Sequence, residues 1–155
     1  MGRIYHRPGR RRDMQITRRA DYGVRTILDV ASLDAGDVAL THEVAMRQGI
    51  PLPFLAKIVP ALTHSGLLRS QRGAGGGISL ARRADQITLL EVVEAIDGPL
   101  ALNMCVLWPE ECGRSGVCPV HEVWCDARTA LADRLGGTTI ADLLRRGEGP
   151  GAQAG

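Results

Sequence analysis

Residues 67–80 constrain the fold more than any other stretch. Two short apolar segments, Leu67-Leu68-Arg69-Ser70 and Ile78-Ser79-Leu80, flank the run Gln71-Arg72-Gly73-Ala74-Gly75-Gly76-Gly77. Such segments around a glycine-rich turn predict a β-hairpin. Two short helices precede it. Thr41 is placed to cap the first, over His42–Gln48, and Gly49 to end it in the left-handed conformation. Pro53 suits the first turn of the second, over 53–64, whose buried stripe is Leu55, Ile58, Val59 and Leu62. Two helices joined by a tight turn form a helix-turn-helix, and a hairpin directly after it is a wing. A phosphate-binding loop would need a following Lys-Ser/Thr or a long βαβ context, and neither is present.

The flanking segments extend this pattern. From Asp21 to Asp34, Val24, Ile27, Leu28 and Ala31 recur at helical spacing, with Gly36 in the loop beyond. Thr88-Leu89-Leu90-Glu91 is a capping box opening a helix with an apolar face of Leu89, Val92, Val93 and Ile96, stopped by Gly98. Residues 99–118 hold Pro109, two glycines and three cysteines without helical period, and predict an irregular loop. Pro119 starts a longer helix to about Leu135, with Val120, Val123, Trp124, Ala127 and Leu131 on one stripe. Little chain remains to cover that stripe, which predicts a dimer interface; the alternative is that it folds back on the first helix. Gly136-Gly137 breaks this helix, and Thr139-Ile140-Ala141-Asp142 caps a short last one.

The expected fold is mainly α with a small β-hairpin wing: a winged helix-turn-helix plus a long dimerisation helix. Its parts are a leader (1–13), a DNA-binding domain (14–98), a cysteine-rich loop (99–119), the dimerisation and C-terminal helices (120–146) and a disordered tail (147–155). Pro60 inside the second helix of the motif predicts a bend or an early end.

A chain of 155 residues fits one compact domain. Only 3% of it is aromatic, so the core must be aliphatic. The leader is basic but lacks the apolar core of a signal peptide, which reads as a disordered leader or as a start at Met14. No apolar run reaches the roughly 20 residues of a transmembrane helix. The expectation is a cytoplasmic protein with no membrane partner and with reduced cysteines.

In a winged helix-turn-helix the second helix of the motif enters the major groove of double-stranded DNA. Opposite its buried stripe lie Pro53, Phe54, Lys57, Ala61 and His64. Lys57, the sole lysine, is the obvious phosphate or guanine contact. Phe54 suits either a thymine methyl group or packing. Arg72 at the wing tip is suited to a narrow minor groove. Arg69 belongs to the wing flank, and Arg18 and Arg19 lie near the start of the first helix.

Cys105, Cys112, Cys118 and Cys125 are spaced C-x6-C-x5-C-x6-C. The paired knuckles of zinc modules and the short runs of ferredoxins are absent. Three reduced thiols in one flexible loop nevertheless suit a soft metal or an iron–sulfur cluster. His121 follows Cys118 by three residues and can turn back to the same metal. Cys125, one helical turn beyond His121 on the same face, suits either ligation or burial at an interface.

These pieces, in this order, resemble the Rrf2 family of winged-helix repressors, of the IscR and NsrR type. The match runs from Met14 to about Arg146. It includes Met14-Gln15-Ile16-Thr17, Asp21-Tyr22-Gly23-Val24-Arg25, Gln48-Gly49-Ile50, the wing from Arg72 to Leu80, Ile87-Thr88 through Ile96-Asp97, and the three-cysteine loop. The resemblance implies a homodimer on a palindromic operator, paired through the long helix. It implies an iron–sulfur cluster on Cys105, Cys112 and Cys118 whose state, set by redox conditions, nitric oxide or iron–sulfur status, controls DNA affinity. IscR-like members take a fourth ligand three residues after the last cysteine, where His121 stands. NsrR-like members take an aspartate near the start of the first helix of the partner subunit, where Asp21 stands. The reading leans to His121 with 2Fe-2S over Asp21 with 4Fe-4S. The first loop spacing is one residue longer than in the best-known members. The competing expectations are a cluster-free thiol sensor of the same fold, a zinc site on the same three cysteines and His121, and an enzyme with a cysteine nucleophile. The last lacks any acid–base partner besides His121, and the expectation is that the chain is not an enzyme.

Overall fold

The computed structural model describes residues 16–34 and 36–147. The expectations for 1–13 and for the tail beyond Gly147 fall outside them. Helix α1 (Arg18–Ala31) starts where Thr17 accepts the Ala20 amide, so Thr17 is its cap. It begins three residues before the predicted start, and its buried face is Ala20, Gly23, Thr26, Ile27, Asp29 and Val30. Of the predicted stripe, Ile27 is fully buried while Val24, Leu28 and Ala31 pack at the margin of the core.

Helix α2 (Thr41–Gln48) includes Thr41, and its capping position is Leu40, which has no side chain able to bond. Gly49 ends α2 at φ 60°, in the left-handed region that glycine adopts without strain. Helix α3 (Leu52–His64) buries Leu55, Ile58, Val59 and Leu62 as predicted. It runs through Pro60 rather than ending there. Pro60 and Ala56 are exposed, so the carbonyl that the proline cannot bond lies on the solvent side. Ala61, expected on the outer face, packs against the core.

Strands β1 (Leu68–Gln71) and β2 (Gly77–Leu80) form an antiparallel pair in the register Leu68–Leu80 through Gln71–Gly77. Ala39 adds a two-bond bridge to Ile78 on the far side of β2, with both bonds 2.8 Å long. That bridge explains Gly77: a Cβ there would stand 2.4 Å from the Ala39 carbonyl oxygen.

Helix α4 (Leu89–Asp97) is opened by the expected reciprocal cap between Thr88 and Glu91, and it packs on α1. The cysteine segment is less irregular than predicted. It holds a single turn of helix, α5 (Met104–Leu107), and a 3-10 turn, Pro109–Glu111. Helix α6 (His121–Gly136) follows and buries none of its residues. Helix α7 (Ile140–Gly147) has its cap in the Thr139–Asp142 pair, takes in Gly147, and packs back on α1. Backbone bonds from Leu89 N to Thr138 O and from Ile140 N to Ile87 O, each 2.9 Å, join the starts of α4 and α7. One aliphatic core, including Ile27, Leu55, Ile58, Leu62, Leu68, Ile78, Ile87, Val92 and Ile140, joins α1 through α4, the hairpin and α7. No helix among the described residues is long and apolar enough to cross a membrane.

Candidate nucleic-acid interface and metal centre

The outer face of α3 presents Pro53, Phe54 and Lys57, all exposed. Phe54 meets Tyr22 of α1 edge to face, with ring centroids 6.2 Å apart, and keeps about half its surface (48%) free. Packing and a DNA contact are therefore compatible at this residue. Arg25 stacks over the other partner, 5.5 Å from the Tyr22 ring centre. Arg72 stands in the turn between β1 and β2, exposed, and Arg69 is exposed on β1. Arg18 is exposed at the first residue of α1. Among the described residues these cations lie on α1, α3 and the wing.

A network missed at sequence level holds α2 against α1. Asp29, with 5% of its side chain exposed, accepts bonds from Arg47 (2.6 and 3.1 Å) and from Gln48 (2.8 Å). Burial pushes its carboxyl upward, but the Arg47 and Gln48 bonds and the Arg47 charge outweigh this and hold it below the usual range. Arg25 also donates to the Gln48 carbonyl. A buried aspartate on an apolar helix face was the available signal, since such a group must be paired.

The cysteines come from four places: Cys105 on α5, Cys112 after the 3-10 turn, Cys118 before α6, and Cys125 within α6. Cys105 is buried; the others are half-buried. Burial pushes the Cys105 thiol up, and negative charge on Cys112, Cys118 and Cys125 adds to it. The four cysteines thus stand on successive pieces of chain leading into and along α6. Among the described residues, however, no three His, Cys, Asp or Glu groups stand at metal-ligand spacing. His121 begins α6, its Nε2 lies 3.7 Å from Cys125 Sγ, and its Nδ1 is buried without a partner among the described residues. Three thiols and an imidazole with an orphaned nitrogen are a donor set that fits a soft metal or an iron–sulfur cluster. Asp21 is on another part of the chain, exposed, and 3.5 Å from Arg25.

The loop is tied to both neighbours through one residue. The Leu100 amide donates to Glu94 of α4 (2.9 Å), and its carbonyl accepts from Arg128 of α6 (2.8 Å). On the free side of α6, Val120, Val123 and Leu131 are exposed apolar residues, with Trp124 and Ala127 half-buried beside them.

The family model described as "Rrf2: Iron-dependent Transcriptional regulator" matches residues 16–146. The chain is 34% identical over 132 residues to the protein rrf2 of Nitratidesulfovibrio vulgaris, covering 85% of this chain and 88% of that one. Among solved structures, IscR of T. potens superposes with a TM-score of 0.70 at 26% identity, covering 91% of this chain and 92% of that chain. CymR, the global cysteine regulator of B. subtilis, also superposes at 0.70, with 24% identity over 85% of this chain and 97% of that chain.

Proposed function

The chain belongs to the Rrf2 family of DNA-binding transcription regulators, and on that premise we propose that its operator affinity is set by an iron–sulfur cluster. Cys105, Cys112 and Cys118 hold the cluster, with His121 as fourth ligand and 2Fe-2S as the favoured type. The observation that carries this reading is His121 at the start of α6, three residues after Cys118, with a buried Nδ1 that has no partner among the described residues. The likeness to an IscR structure supports it. When bound, such a cluster supplies a group that oxidants and nitric oxide alter. It would report redox conditions, nitric oxide or iron–sulfur status to the operator.

This chain's own residues do the rest. Lys57, with Pro53 and Phe54, faces the major groove; Arg72 reaches a minor groove; Arg18 meets phosphate. The uncovered apolar side of α6 pairs two subunits, so that two recognition helices read one palindromic site. The Leu100 clamp links the loop to α4 and to α6, so a change in the loop bears on the spacing of those helices. A coupling of a few kcal/mol suffices to switch occupancy. Asp21 of a partner subunit is the alternative fourth ligand.

The test is the visible spectrum of protein purified without oxygen, with iron and acid-labile sulfide assayed on the same sample. A brown protein with matching iron and sulfide is expected, and its operator affinity should change on cluster loss. A colourless protein that still binds DNA would favour the second reading, a thiol-sensing or zinc-stabilised regulator. The separation of the cysteines and the CymR-like fold keep that reading in view.

A further inference from the structure

The first turns of α3 lack most of the groups with which proteins read base edges. In a helix-turn-helix the N-terminal residues of the second helix meet those edges. Here they are Leu52, Pro53, Phe54, Ala56 and Lys57, all exposed. None is an arginine, asparagine, glutamine or carboxylate, the side chains that pair with guanine, adenine or cytosine in the major groove. The backbone offers little in their place. Pro51 and Pro53 carry no N–H, and the Phe54 and Leu55 amides both donate to the Pro51 carbonyl, at 2.9 and 3.2 Å. Lys57 is the one polar side chain among the five.

What this surface does present is apolar and braced. Leu52 and Phe54 keep 47% and 48% of their surface exposed. The Phe54 ring meets Tyr22 of α1 edge to face, Arg25 lies over Tyr22, and Arg25 donates to the Gln48 carbonyl at the end of α2. A ring held in this way gives up little freedom on binding. Against guanine, adenine or cytosine it would cover polar edge atoms and leave them unpaired. Thymine differs, because its 5-methyl group offers the ring an apolar contact.

We propose that Phe54, with Leu52 beside it, selects operators by the 5-methyl groups of thymines. The preferred half-site then carries thymine where the start of α3 meets the groove. This rests on the placement of α3 in the major groove and not on the cluster. A protein-docking patch is the competing account of exposed apolar residues. Lys57, three residues beyond Phe54 and on its side of the helix, favours a polyanion instead.

The probe is a pool of duplexes with a random central stretch, selected with full-length protein. The selected duplex is then remade with deoxyuridine in place of one thymine at a time. Uracil pairs as thymine does and lacks only the methyl group. Wild type should lose about fourfold in affinity at one or more thymine positions in each half-site, the worth of one buried methyl group. Phe54→Ala should bind the thymine and uracil duplexes equally at those positions. Phe54→Leu, a smaller apolar side chain, should show a reduced difference and serves if the alanine variant fails to fold, which far-UV circular dichroism checks. Both affinities are taken on one preparation, so their ratio cancels the state of the cluster. A wild type indifferent to every uracil swap would overturn the proposal. So would a thymine preference undiminished in every folded Phe54 variant, or a selection that yields no preferred duplex. Lys57→Gln judges the placement of α3 separately. Full affinity in that variant sinks the placement, whereas weakened binding without any uracil effect sinks only the methyl reading.

Discussion

The winged-helix half and the cysteine half of this chain are held together by different means. In the first, Ile27, Leu55, Ile58, Leu62, Ile78, Ile87 and Val92 are wholly out of water, and Asp29 and Glu91 tie helix starts and ends across the core. Between residues 99 and 137 only Cys105 is buried, and α6 buries nothing. A segment with so little interior cannot stabilise itself by apolar burial. The winged-helix half carries the core, whereas the cysteine half has almost no interior of its own among the described residues.

The harshest way to test this contrast is to truncate an apolar side chain in each half. Leu62→Ala should cost about 2–5 kcal/mol in urea unfolding, as cavities in close-packed interiors do. Leu131→Ala on α6 should change monomer stability by about 0.5 kcal/mol or less. Equal costs would erase the distinction. Next comes the polar network. Asp29→Asn should cost about 1.5–3 kcal/mol, the range for hydrogen bonds to charged groups, and it should alter the pH profile. The Asp29 carboxyl is held low in the folded protein, so its contribution is complete above the ordinary carboxylate range near pH 4 and is lost as pH falls through the lowered value. Urea midpoints measured down the acid limb should fall less steeply in the variant. Third, Val123→Asp should abolish dimers in analytical ultracentrifugation while shifting the urea midpoint of the winged half very little. The smallest effect on folding belongs to Lys57→Gln. It should leave stability unchanged, weaken binding across all DNA sequences, and lower the salt slope of binding by about one.

The same contrast governs what could be read before the structure. The recognition motif, the hairpin and both capping boxes are legible because their signals are local: glycines in a turn, Thr88 with Glu91, Thr139 with Asp142. The helix runs through Pro60 because four buried side chains on its other face outweigh one lost bond. What stayed hidden are pairings across long stretches of chain. Asp29 finds Arg47 on another helix, Ala39 finds Ile78, and Thr17 finds Asp97 through two bonds of 2.5 and 3.0 Å. In the cysteine half, spacing named the donors but not their distances, because sulfurs on a turn, a loop and a helix are set by how those pieces fold against one another.

The backbone bonds joining Ile87 and Leu89 to Thr138 and Ile140 have a topological consequence. The chain leaves the winged body and returns to it at a single clasp, like thread passed twice through one eyelet. The stretch from the end of α4 to the end of α6 is a detour whose length and contents can vary while the clasp keeps its shape. Such an arrangement lets one DNA-reading body carry exchangeable inserts, each sewn in at the same stitch.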